Sequence, residues 1–111
     1  MSPVFKLPLR VFEFCGDGSG GYVVISARAH PGETLQSITL DSLVTDLIKS
    51  EFLTKQKIKL VVIPVLNIDG VYHGNYRSDC VGQNINRTYG LTDEKFIINK
   101  SVMEFVAELK R

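Results

Sequence analysis

Residues 22–66, YVVISARAHPGETLQSITLDSLVTDLIKSEFLTKQKIKLVVIPVL, decide the fold. Tyr22 to Ala27 is a short β-branched apolar run, and Ile58 to Leu66 is a second one, interrupted only by Pro64. Apolar runs of this length without polar alternation read as strands buried on both faces. Between them Leu40, Leu43, Val44, Leu47 and Ile48 recur at spacings of three and four. That is one apolar helix face, expected from about Thr34 to Phe52, with a polar connection from Thr54 to Lys59. Strand, helix, strand of this size is a βαβ unit with adjacent parallel strands and a right-handed crossover. The expected class is α/β.

On the amino-terminal side, Val4 to Phe14 reads as extended, with Pro3 and Pro8 consistent with a sheet edge. Gly16 to Gly21 (GDGSGG) formally matches the dinucleotide fingerprint GxGxxG. It opens a strand-like run rather than a helix, so it reads as a glycine-rich hairpin loop. On the carboxyl side, Asn67 to Leu91 is a long polar segment with little regular structure expected, the kind that carries function or is disordered. Thr92 to Arg111 reads as a helix capped by Asp93 or Thr92, with Phe96, Ile97, Val102, Phe105, Val106 and Leu109 on its apolar face.

Composition bounds the function classes. The 111 residues carry 13 Lys and Arg against 12 Asp and Glu, a net charge of +1, and are 44% apolar and 23% charged. These are ordinary globular values, which exclude a disordered tail, a collagen-like repeat and a disulfide miniprotein. Near-neutral charge also argues against nucleic acid or anionic lipid as a partner held by bulk electrostatics. No apolar stretch approaches the roughly 20 residues of a membrane span. The start, MSPVFKLPLRVFEF, has no signal-peptide core. A cytoplasmic protein with Cys15 and Cys80 as reduced thiols is expected.

Ligand sites in open α/β sheets lie beyond the carboxyl ends of the strands, and two polar clusters fall there. His30 and Glu33 stand three apart across the first strand-to-helix turn. Imidazole and carboxylate are ligand types of a His₂Glu zinc site. The pair has a blander account too: a solvated His–Glu contact, with Glu33 in a first helical turn where a carboxylate is favoured anyway. The second cluster follows Leu66. Arg77 and Arg87 suit bidentate carboxylate binding or an oxyanion, and Asn86 offers an amide to the same anion, although surface arginines in polar loops need no such role. Asn67, Asp69 and Gly70 read equally as turn chemistry. His73 is the only other histidine. On placement alone it stays open as a second imidazole ligand.

Taken jointly, SARAHPGET (Ser26 to Thr34), PVLNIDGVYHGNYR (Pro64 to Arg77) and GQNINRTY (Gly82 to Tyr89) resemble the zinc carboxypeptidases of the M14 type, in particular their cytosolic carboxypeptidase branch. The resemblance covers roughly Tyr22 to Tyr89. It implies part of a carboxypeptidase-type mixed β-sheet flanked by helices. It implies Zn2+ held by His30 and Glu33, with Arg77 polarising the scissile carbonyl and stabilising the oxyanion. Asn86 and Arg87 would grip the substrate's terminal carboxylate. The implied substrates are C-terminal or branched glutamates on tubulin and other acidic protein or peptide tails. Asn84 stands where many relatives have Asp, and as partner of the zinc histidine it would tune ligand basicity less strongly. His73 matches no family ligand.

The family's third zinc ligand, a His, and its general base, a Glu, fall beyond the matched motifs. Residues 1–111 are therefore expected to be an incomplete catalytic domain, without the branch's β-sandwich domain. Two other readings are a non-catalytic remnant that binds acidic C-terminal tails and a related zinc amidohydrolase acting on N-acyl amino acids. The LNIDG and HGNYR segments favour the peptidase over the amidohydrolase.

Overall fold

The structure, a computed structural model, describes residues 1–91, 93 and 96–109. Three strands, β1 (Phe12–Cys15), β2 (Tyr22–Ser26) and β3 (Lys59–Ile63), form one mixed sheet in the order β1-β3-β2. β2 runs parallel to β3 from Tyr22↔Lys59 to Ser26↔Ile63. β1 runs antiparallel to it from Phe12↔Val62 to Cys15↔Lys59. The helices are α1 (Leu35–Lys49), α2 (Phe52–Lys55), α3 (Ile68–His73) and α4 (Ile97–Glu108), with a 3-10 turn at Ile85–Arg87. The α/β class and the parallel βαβ pair are as the sequence predicts.

β3 is the core strand. Leu60 and Val62 join Ala27, Leu40 and Leu53 on the α1 side. Ile63 joins Leu66, Ile85 and Ile98 on the other. Burial of β3 on both faces is why its sequence lacks alternation. β2 differs from expectation: Tyr22, Val23 and Val24 are each more than a third exposed, because β2 lies at an edge of the described sheet.

Gly16 to Gly21 is not a hairpin loop, because β3 separates β1 from β2. The segment instead wraps the start of β3. Gly16 N–H donates to the Ile58 carbonyl at 2.9 Å, and Gly18 and Gly20 N–H donate to that of Lys57 at 3.1 Å. A Cβ on Gly16 would stand 2.5 Å from the Lys57 carbonyl carbon, and one on Gly20 would run into the Gln56 carbonyl oxygen. Close backbone approach explains these glycines.

Other boundaries shift for local reasons. The expected 34–52 helix breaks at Glu51, which adopts a left-handed φ of 56° before α2. Leu40 is buried and Val44 and Leu47 pack against the core, whereas Leu43 and Ile48 are exposed. β3 ends at Ile63, before Pro64. Residues 67–91 hold α3 and the 3-10 turn rather than an irregular loop. The expected extension from Val4 is a strand only from Phe12. Before that the chain folds around Asp69, whose carboxylate accepts from the Ser2 hydroxyl (2.5 Å) and from Val4 (2.8 Å) and Phe5 (3.2 Å) N–H. α4 has Phe96 at its N-cap with no side-chain cap bond, and Thr92 lies outside the described residues. Ile98 and Asn99 are its buried residues, and Ile97 is exposed. Among the described residues no helix is long and apolar enough to cross a membrane.

Candidate metal and carboxylate site

The carboxyl ends of β2 and β3 are stitched together. Leu66 N–H donates to the Ala27 carbonyl (2.9 Å) and Asn67 N–H to that of Arg28 (3.0 Å). The buried Asn67 side chain accepts from Gly70 N–H at 3.0 Å, capping α3, and donates to the Ala29 carbonyl at 3.3 Å. The turn chemistry read at Asn67 is thus a helix cap that also ties the two strand ends into one rim.

His30 and Glu33 face each other on that rim, with Nδ1 3.1 Å from Oε1. The His30 side chain is 12% exposed and that of Glu33 40%. Glu33 lies before the N-cap Thr34, and the first turn of α1 holds no acidic residue. The dipole account expected for Glu33 therefore does not apply as stated. The other imidazole nitrogen, Nε2, stands 3.1 Å from Asn84 Oδ1. That oxygen also accepts from Asn86 N–H at 3.0 Å, which fixes the amide's orientation. Nε2 must then carry a hydrogen and donate. In the neutral ring, Nδ1 turns its lone pair toward a carboxylate. A cation satisfies both groups: the proton of an imidazolium paired with Glu33, or a metal ion held between Nδ1 and Oε1.

The Asn84 amide also places the second cluster. It caps the 3-10 turn that carries Asn86 and Arg87. The turn is anchored from below by buried Asn99 of α4, whose Nδ2 donates to the Ile85 carbonyl (2.7 Å) and Thr88 Oγ1 (2.9 Å). Asn86 and Arg87 are exposed, and Arg87 Nη1 donates to the Asn86 carbonyl at 3.0 Å rather than to a carboxylate. Arg77 is exposed and its side chain makes no hydrogen bond or ion pair among the described residues. Its neighbour Tyr76 accepts from Gly32 N–H at 2.7 Å, so the backbone before Arg77 is tied to the His30–Glu33 turn. A Cβ on Gly32 would run into the Tyr76 ring. His73 is exposed, with Nδ1 3.0 Å from Asn75 Oδ1.

Sequence reasoning missed Gln36 and Arg28. Gln36 Nε2 donates to Glu33 Oε2, and Gln36 Oε1 accepts from Arg28 N–H at 2.7 Å. The Arg28 guanidinium donates twice to the Pro31 carbonyl (2.8 and 2.5 Å) and once to Ser37 Oγ at 3.0 Å. The one available signal was position: Gln36 follows Glu33 by three residues. The cysteines are free thiols. Cys80 donates to the Asp69 carbonyl at 3.3 Å, and burial, aided by Asp69 and Asp79, pushes its thiol pKa up.

His30 Nδ1 and Glu33 Oε1 suit a divalent metal in donor type. Their separation is close to the ~3.3 Å between two ligands each about 2.0–2.1 Å from a tetrahedral zinc. The fit is that of two donors. Among the described residues no group of three His, Cys, Asp or Glu could hold a metal ion.

No protein-family model matches the chain. Cytosolic carboxypeptidase 2 of Danio rerio is 44% identical over 71 residues, covering 60% of this chain and 10% of that protein. Cytosolic carboxypeptidase-like protein 5 of Homo sapiens is 34% identical over 84 residues, covering 72% of this chain and 9% of that protein. The chain thus spans about a tenth of the length of these relatives. Among solved structures, a metallo-carboxypeptidase from Burkholderia cenocepacia superposes with a TM-score of 0.81 at 23% identity, over 92% of this chain and 30% of that one. One from Pseudomonas aeruginosa gives 0.79 at 22%, over 90% and 28%. By sequence the chain is similar to a part of the cytosolic carboxypeptidases, and its fold is that of a part of the metallo-carboxypeptidase structures.

Proposed function

We propose that residues 1–111 are part of the catalytic domain of a cytoplasmic, zinc-dependent carboxypeptidase that removes C-terminal glutamate from acidic protein tails such as those of tubulin. The observation that carries this is the His30 imidazole held between Glu33 and Asn84, with Nδ1 3.1 Å from the Glu33 carboxylate and Nε2 3.1 Å from the Asn84 amide oxygen. His30 Nδ1 and Glu33 would hold Zn2+. When bound, that ion supplies Lewis acidity toward the scissile carbonyl and lowers the pKa of a coordinated water. The protein's own residues do the rest. Asn84 keeps the proton on Nε2 and so keeps Nδ1 open to the metal. The exposed Arg77 guanidinium offers paired donors to a developing oxyanion. Arg87 and the Asn86 amide, presented on one turn, suit a terminal carboxylate, which makes the activity an exopeptidase.

The test is binding of a fluorescent peptide ending in Glu-Glu, compared with its C-terminal amide. Arg87→Ala should weaken the acid about tenfold or more, since charge-assisted hydrogen bonds contribute about 1.5–3 kcal/mol, and leave the amide unchanged. Equal binding of acid and amide by the unaltered chain contradicts the carboxylate grip. With two protein ligands among the described residues, where catalytic zinc sites use three, this chain alone should hold zinc weakly and release no glutamate. Robust release by the purified chain would overturn that. A second reading, a binder of acidic tails without turnover, is favoured by the lack of a third donor among the described residues. It predicts the same peptide binding without any zinc dependence.

A further inference from the structure

We propose that Gln36 and Arg28 are positioning residues that brace Glu33 for metal binding; this rests on the reading of His30 and Glu33 as metal ligands. Glu33 has two carboxylate oxygens. Oε1 faces His30, and Oε2 accepts from Gln36 Nε2. A carboxylate bonded through one oxygen can still rotate about its long side chain. With Oε2 held by Gln36, Oε1 stays turned toward His30 Nδ1. Gln36 is itself locked at its other end, because Oε1 accepts from Arg28 N–H at 2.7 Å. An amide bonded at both oxygen and nitrogen has no freedom to flip.

Arg28 is the fixed point of this chain of bonds. Its φ of 58° is left-handed, a conformation uncommon for a non-glycine residue. Such a residue persists only where its surroundings over-determine it. Here they do. Its N–H is taken by Gln36, its carbonyl accepts from Asn67 N–H at 3.0 Å, and its guanidinium grips the Pro31 carbonyl and Ser37 Oγ. The reversal at Arg28 turns its N–H toward α1. The guanidinium clasps the Pro31 carbonyl between His30 and Glu33. One residue thus secures the turn that separates the two ligands and, through Gln36, the carboxylate of the second.

Zn2+ affinity of the full 111-residue chain, measured by competition with a chromophoric chelator, tests this. Gln36→Leu keeps the side chain's bulk and removes both bonds. The expected result is a roughly 10- to 100-fold loss of affinity, the usual effect of losing an outer-shell partner, with the melting temperature of the metal-free protein little changed. Arg28→Met is the second variant, expected to act in the same direction. A third readout needs no metal: the Gln36 side-chain NH₂ proton facing Glu33 should resonate downfield in the proton–nitrogen NMR spectrum, and lose that shift in Glu33→Ala. Zn2+ affinity unchanged in Gln36→Leu, or an unshifted Gln36 amide, overturns the brace alone. Absence of any His30-dependent Zn2+ uptake by the unaltered chain overturns the metal-pair reading and this role with it.

Discussion

At the scale of single residues, the site is organised by amides and backbone groups more than by charges. Asn84 meets His30 Nε2, Asn67 ties two strand ends, and Asn99 holds the turn below Arg87. The contact of His30 with Glu33 and the sharing of one turn by Asn86 and Arg87 were legible in the sequence because both are local, three residues or fewer apart. Asn67 was read as turn chemistry but not for its tie to Ala29, and Asn99 was not read as an anchor. An asparagine's partners lie elsewhere in the chain, at separations such as 38 and 14 residues here, and no local pattern announces them. Cys80 gives a prediction at this scale. Burial, with the charges of Asp69 and Asp79, favours the neutral thiol. Its folded-state pKa lies above the unfolded value, so the folded state binds the thiol proton more tightly. That contribution to stability is intact below the unfolded value and is lost as pH rises through the folded one. Iodoacetamide should therefore alkylate Cys80 in the folded chain at pH 7.5 more slowly than in urea; equal rates would contradict the burial account.

At the scale of elements, each part of the site is placed by something that packs. β3 is buried on both faces and fixes the rim, α3 is docked by its Asn67 cap, and α4 reaches the 3-10 turn through Asn99. Asn99→Leu removes two buried hydrogen bonds, while the Ile85 carbonyl keeps those from the Thr88 N–H (3.2 Å) and hydroxyl (3.1 Å). The expected destabilisation is about 1–3 kcal/mol in a thermal or urea melt, with weaker binding of a carboxylate-ended peptide. An unchanged melt would mean that α4 does not anchor the turn. The βαβ pair was readable from periodicity because burial imposes it on sequence. The glycine segment was misread for a physical reason. A hairpin and a strand-wrapping turn both need glycine, and only β3, inserted between β1 and β2, separates them. Likewise Tyr22 to Ser26 has the composition of a buried strand but lies at an edge of the described sheet.

At the scale of the whole molecule, sequence likeness covers about 60–70% of the chain, while the fold likeness covers about nine-tenths of it. On the reading proposed above, the His30–Glu33 pair beyond β2 and the Asn86–Arg87 turn would form parts of one site, joined through Asn84. The central claim is that His30 takes a metal ion at Nδ1 while Nε2–H stays on Asn84. The most direct measurement is a Zn2+ titration followed by long-range proton–nitrogen NMR of the two imidazoles. The account predicts that the His30 Nδ1 resonance moves to a metal-bound position while Nε2 remains protonated, that His73 does not respond, and that Glu33→Ala weakens the effect. Ligation through His30 Nε2, a response confined to His73, or no response to Zn2+ at either ring would contradict it.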